Sequence, residues 1–246
     1  MLSLLCFDLD GTLVQSERLK AESYARAAHD LRDSVDPDDV EEAFADVVGL
    51  SREDVAQTLL DRFELAEAAR AHDGSVEPWK AYVDVRLAIY EEMTHDPEVI
   101  RAAACPNAIA VARRARQLAR HVALVTTSDR DATDAVLDAL GLADAFDLIL
   151  TADDVDRTKP DPEGYQRALD HFGVAASEAA TLEDSPSGVR AALAAGITVV
   201  VVPSDLTADR IDALVDAGEI ADADVVRNRS QLGARVEALA GRTVGS

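Results

Sequence analysis

No apolar run in these 246 residues approaches the roughly 18 that a bilayer-crossing helix needs. The N-terminus also lacks a basic region ahead of an apolar segment and a small-residue cleavage site. These absences lead us to expect a cytoplasmic chain with no membrane partner. Cysteine is scarce: Cys6 and Cys105 are the only two. One bridge between them is arithmetically possible, but Cys6 lies in an apolar, strand-like run, so both are expected to be reduced core filler. Lysine occurs only at positions 20, 80 and 159, and arginine supplies the rest of the 24 basic residues. The five histidines, His29, His72, His95, His121 and His171, show no metal-ligand spacing and are assigned no role.

Acids outnumber bases far enough to leave a formal net charge of −23. A surface of that sign repels nucleic acid backbones and anionic membranes at ordinary ionic strength, which excludes both as partners. So acidic and lysine-poor a composition suits molar intracellular salt, where the Debye length falls to about 3 Å and self-repulsion is screened. We therefore expect a halophilic protein. The hydrophobic content of 48% is that of a globular chain long enough to bury a full core.

Leu4 to Val14 organises the rest. An apolar run of strand length ends in Asp8 and Asp10, and Gly11 breaks it. Side chains at i and i+2 of a strand share a face, so the two carboxylates point the same way from the strand's carboxyl end. Residues 15 to about 100 then read as successive helices, near 16–31, 38–48, 52–71 and 77–94, with cap signals at Asp36-Pro37 and Ser51-Arg52-Glu53-Asp54. From 101 the pattern alternates: helix 106–120, strand 121–125, helix 131–140, strand 147–151, helix 162–172, strand 180–182, helix 186–195, strand 198–202 and a last helix near 230–240. Arg242 to Ser246 reads as a frayed end. The expected fold class is α/β, a Rossmann-like, doubly wound parallel-sheet core (1–15 and 101–246) with an inserted α-helical module (16–100).

Three polar clusters follow core strands directly. Thr126, Thr127 and Ser128 offer hydroxyls beside backbone N–H groups, suited to a phosphate; such a cluster taken alone is more often a turn or a helix cap than a site. Lys159, in Thr158-Lys159-Pro160, places a compact ammonium in a chain that otherwise uses arginine. Glu183 and Asp184 precede Ser185 and Pro186, a helix start. In a doubly wound sheet these strand ends share one edge. Asp8, Asp10, Glu183 and Asp184 bring four negative charges and Lys159 returns one, so a phosphate dianion needs a divalent cation. Oxygen-only donors point to Mg²⁺ rather than zinc. Asp8 and Asp184 are the expected direct ligands, with the Asp10 backbone carbonyl, and Glu183 directly or through water.

Asp8-Leu9-Asp10-Gly11-Thr12, the Thr126 hydroxyl, Lys159-Pro160 and Glu183-Asp184 resemble, in order and spacing, the four motifs of the haloacid dehalogenase-like superfamily, in its helical-cap subclass of phosphoglycolate phosphatases and β-phosphoglucomutases. The resemblance spans the chain and makes the insert a cap domain. It implies Asp8 as nucleophile, forming an aspartyl-phosphate, and Asp10 as general acid and then base. It further implies Thr126 bonding the phosphoryl group and Lys159 neutralising charge. Asp10 sets the chain apart from the dehalogenase branch, which lacks it. The phosphonatase branch uses a cap lysine for a Schiff base, and neither Lys20 nor Lys80 has that context.

Within the cap, Val48-Gly49-Leu50-Ser51-Arg52-Glu53-Asp54 resembles the specificity loop of β-phosphoglucomutases, which implies Arg52 and Arg86 as contacts for a second anionic group. Three departures favour a phosphatase over the mutase: Lys20 where mutases carry a coupling histidine, Gly11-Thr12 rather than Gly-Val, and Gln15 where aspartate is frequent. Trp79 and Tyr82 read as cap core. The expected enzyme is a Mg²⁺-dependent phosphatase of a small phosphate ester, phosphoglycolate or a sugar phosphate, as a monomer or weak homodimer. The alternatives are a phosphomutase and, more remotely, a non-catalytic phosphometabolite-binding protein.

Overall fold

A computed structural model describes residues 1–73 and 77–242; 243–246, most of the expected frayed end, lie outside them. The chain divides into two compact units, Met1–Gln15 with Ile100–Ser246, and Ser16–Val99. The first contains five parallel strands, β1 (Leu2–Phe7), β2 (Ala119–Val125), β3 (Leu148–Leu150), β4 (Ala179–Glu183) and β5 (Thr198–Val201), in the order β3-β2-β1-β4-β5. The central strand is the first in sequence, and Leu4, Leu5, Cys6 and Phe7 are wholly buried. Strands buried on both faces read as continuous apolar runs, which is why β1 shows no alternation.

Register aligns the chemistry. Phe7 pairs with Leu124 on one side and Leu182 on the other, so Asp8 lies level with Val125 and Glu183. The ladder runs one bond past β1, from Asp8 N–H to the Leu182 carbonyl (3.0 Å). Leu4 and Cys6 face a core built with Tyr165, Ala168 and Leu169 of one helix and Val189, Ala191 and Ala192 of another. Both cysteines are free and buried.

The second unit is helical: α1 (Ser16–Leu31), α2 (Pro37–Ala45), α3 (Arg52–Arg62), α4 (Ala66–Asp73) and α5 (Pro78–His95). It has its own core, in which Tyr24 packs edge-on to Tyr82 at 5.5 Å and Tyr82 donates its hydroxyl proton to the Tyr24 carbonyl. Trp79 packs partly buried against the same cluster. Among the described residues no helix is long and apolar enough to cross a membrane.

Several expected elements differ. The helix expected over 52–71 is two, because Glu64 turns left-handed (φ 53°) and Leu65 N–H bonds the Leu60 carbonyl, closing α3 in a Schellman-type cap. No glycine marks that turn; the buried pair Leu60 and Leu65 drives it. The helix expected over 106–120 breaks at Arg114 into α7 (Pro106–Arg113) and α8 (Ala115–Leu118), and β2 starts at Ala119, which pairs with Leu2. Two short helices, α6 (Pro97–Ala102) and α12 (Ala208–Asp216), are additional to those expected: α6 buries only Ile100, whereas α12 buries Ile211 and Leu214 at helical spacing. The remaining helices are α9 (Arg130–Leu140), α10 (Glu163–Phe172), α11 (Pro186–Ala194) and α13 (Leu232–Arg242).

Asp147 locks the entry to β3. Its carboxylate accepts from Val122 N–H (2.9 Å) and Arg116 (2.6 Å). Burial works against that charge, but these donors outweigh it and hold the carboxyl below the ordinary carboxylate range. Asp147→Ala is expected to lower stability in urea unfolding by about 1–2 kcal/mol at neutral pH. A depressed folded-state pKa means a contribution present above the ordinary carboxylate value and lost as pH falls through the folded one, so wild type and variant should converge in acid.

Candidate active site

The site lies at the carboxyl ends of β1, β2 and β4. Just past β1, the Asp10–Val14 turn is closed by Gly11 N–H to the Val14 carbonyl (2.6 Å) and Leu13 N–H to the Leu9 carbonyl (2.8 Å). Gly11 is left-handed (φ 79°), and a Cβ there would lie 2.0 Å from Asp184 Oδ2. Glycine is thus required both by the backbone and by the approach of Asp184.

Lys159 arrives on the segment after β3 and is the site's electrostatic centre. Its Nζ lies 2.6 Å from Asp8 Oδ1 and 2.7 Å from Glu183 Oε1, and donates to the Val125 carbonyl at 2.8 Å. Those three acceptors match its three protons. Its side chain is 6% exposed and that of Glu183 0%. Burial alone would lower the lysine pKa, but the flanking carboxylates win and hold it well above its ordinary value. Burial pushes the Asp8 carboxyl the other way, up to about 8; Lys159 opposes this, and Glu183 and Asp10 add to it.

Asp8, Glu183 and Asp184 each present a ligand atom within 4.8 Å of the others, all three buried, in an arrangement that could hold a metal ion. Among the described residues Glu183 Oε2 is buried without a hydrogen-bond partner. An orphaned buried carboxylate oxygen in an all-oxygen donor set fits a hard divalent cation. The Asp10 carboxylate stands apart from the trio: Ser128 Oγ donates to its Oδ2 at 2.5 Å, and Thr126 Oγ1 lies 3.4 Å from the same atom. Thr126 Oγ1 in turn accepts from Ser128 N–H (3.1 Å), which fixes the turn after β2. Thr127 is exposed.

Arg52 and Arg86 belong to the helical unit. Arg52 is exposed at the start of α3, which Ser51 caps by accepting from Asp54 N–H. Arg86 is buried between the rings of Tyr24 (5.1 Å) and Tyr90 (4.4 Å), with Nε donating to Ser23 Oγ at 2.8 Å. Lys20 pairs with Glu17 at 2.6 Å.

Two residues of the site had no place in the sequence reading. Tyr165, on α10, donates its hydroxyl proton to Glu183 Oε1. Gly188, in the first turn of α11, leaves the space that the Glu183 carboxylate fills: a Cβ there would lie 1.9 Å from Oε2. Tyr165 is hidden in the apolar pattern of its helix, whereas a glycine three residues past the Ser185 cap was a legible signal. Gly188→Ala removes a helical glycine, a change that ordinarily stabilises by about 0.5–1 kcal/mol. Here the sign should reverse, to a loss of about 1–3 kcal/mol in urea unfolding, because pinned Glu183 cannot yield.

The profile of the family described as Haloacid dehalogenase-like hydrolase matches residues 5–202. The Validoxylamine A 7'-phosphate phosphatase of Streptomyces hygroscopicus subsp. limoneus is 32% identical over 227 residues, 92% of this chain and 93% of that protein. A phosphoglycolate phosphatase of Rhodospirillum rubrum is 31% identical over 196 residues, 80% of this chain and 77% of that one. The crystal structure of β-phosphoglucomutase from Clostridium difficile superposes with a TM-score of 0.64 over all of both chains at 18% identity, a likeness of fold alone. The chain belongs to the haloacid dehalogenase-like hydrolases.

Proposed function

We propose that the chain is a Mg²⁺-dependent phosphatase of small phosphorylated metabolites, of the phosphoglycolate or sugar-phosphate class, and that it works through an aspartyl-phosphate on Asp8. The observation that carries this is the buried trio Asp8, Glu183 and Asp184, anchored on Lys159. The activities for which the two relatives are named, both phosphatases of small phosphate esters, support the substrate class. In this reading Ser16–Val99 is the cap domain.

Asp8 attacks phosphorus and the ester oxygen leaves, protonated by Asp10; Asp10 then takes a proton from the water that hydrolyses the acyl-phosphate. Ser128 and Thr126 hold Asp10 through Oδ2. Lys159 stays charged throughout, since its pKa lies well above the ordinary lysine value. Nucleophilic attack needs an ionised Asp8, yet burial pushes that carboxyl up to about 8. A magnesium ion held by Asp8, Asp184, the Asp10 carbonyl and Glu183, directly or through water, would supply the positive charge that keeps Asp8 ionised and neutralises the phosphate. Most of the catalysis is then positioning and charge stabilisation. Arg52 and Arg86 are assigned to a second anionic group on the substrate.

Turnover of p-nitrophenyl phosphate is expected to vanish with EDTA, to return with MgCl₂, and to fall by about 10³-fold or more in Asp8→Asn. Activity retained in that variant would refute the nucleophile. β-Glucose 1-phosphate supplied with a trace of the 1,6-bisphosphate should yield free phosphate; accumulation of glucose 6-phosphate would favour the mutase. The net charge of −23 supports a salt-dependent fold, and the thermal midpoint is expected to climb steeply towards molar KCl as self-repulsion is screened.

A further inference from the structure

Tyr165 is wholly buried, and it carries a hydroxyl that packing does not require, since phenylalanine would fill the same space. That hydroxyl donates to Glu183 Oε1, the oxygen that also accepts from Lys159. Thr181 Oγ1 donates to the phenol oxygen at 3.2 Å, which leaves the phenol's own proton for the carboxylate. Lys159 is shared with Asp8 and Val125, so on its own it fixes only one direction of the Glu183 carboxylate. The phenol supplies the other. Gly188 leaves the space for the carboxylate as a whole, and its remaining oxygen, Oε2, has no hydrogen-bond partner among the described residues.

We propose that Tyr165 is a positioning residue for the divalent cation: with Lys159 it clamps Glu183 through Oε1 and so holds Oε2 ready for the ion or its water. The inference rests on the Mg²⁺ reading of the acid cluster and deepens it by naming a residue outside the motifs that the site depends on. Hydrogen bonds that orient a ligating side chain typically change metal affinity by about 10- to 100-fold when lost.

The test compares EDTA-stripped wild type with Tyr165→Phe by calorimetric titration with MgCl₂, alongside thermal midpoints in EDTA and steady-state kinetics with p-nitrophenyl phosphate. The expected result is a roughly tenfold weaker Mg²⁺ dissociation constant, matched by the Mg²⁺ concentration for half-activation, with an unchanged substrate KM at saturating Mg²⁺. Leu169→Ala, one turn further along the same buried helix face and with no polar group to offer Glu183, serves as the packing control and should keep wild-type Mg²⁺ affinity. Thr181→Val, which removes the group orienting the phenol, should weaken Mg²⁺ in the same direction by a smaller factor, and it provides the reading should Tyr165→Phe fail to fold. Unchanged Mg²⁺ affinity in Tyr165→Phe, or in Thr181→Val where that variant alone folds, overturns the proposal, as does an equal loss in Leu169→Ala. Wild-type protein that binds no Mg²⁺ would overturn the metal reading itself, and this inference with it.

Discussion

An ammonium group held in the protein interior by two carboxylates and a carbonyl is the constraint around which this structure is arranged. Taking Lys159, Asp8 and Glu183 out of water costs several kcal/mol per ion, and only close mutual contact with every proton matched offsets that. The contacts of 2.6, 2.7 and 2.8 Å meet the condition. They require three segments, far apart in sequence, to finish at one level. The parallel register of β1 with β2 and β4 supplies that level, and burial of β1 on both faces makes a slip in the register costly.

The arrangement is stable as an ion cluster yet unbalanced in charge. Two carboxylates against one ammonium leave negative charge in a dry place, and Asp184 adds more. Burial is the main cause of the rise in the Asp8 pKa; Lys159 opposes it, and the charges of Glu183 and Asp10 add to it. A fold that only needed stability would replace such a cluster with apolar side chains. Here two glycines are used to make room for it, Gly11 beneath Asp184 and Gly188 beneath Glu183, and the second sits in a helix where alanine would otherwise be preferred. Backbone preference gives way to carboxylate placement at both points, as expected where function sets the residue.

The helical unit follows different rules. Its core is assembled around Tyr24, Phe44 and Tyr82 with leucines, valines and alanines, and its deeply buried Arg86 is balanced by tyrosine rings and a serine hydroxyl. A guanidinium is weakly hydrated and stacks well on aromatic faces, so this environment suits arginine in a way it would not suit lysine. That contrasts with Lys159, where a compact charge must meet three acceptors converging on a point. The chain's preference for arginine elsewhere made the exception at 159 visible.

Composition and local pattern were enough to determine the class of fold and the run of helices after the first strand, and they singled out Asp8, Asp10, Glu183 and Asp184 at strand ends and Lys159 as a rare lysine in the segment after β3. These are properties of periodicity and of which residues follow an apolar run, and both are local. The split at Glu64 was not legible, because a left-handed turn without glycine is chosen by the burial of Leu60 and Leu65 against distant helices. Nor was the partner of Ser128, which bonds Asp10 across 118 positions of sequence. Only the folded sheet decided that Tyr165 would reach Glu183 and that Gly188 would leave it room, since a contact between helix and strand end depends on register and packing, which no single segment encodes.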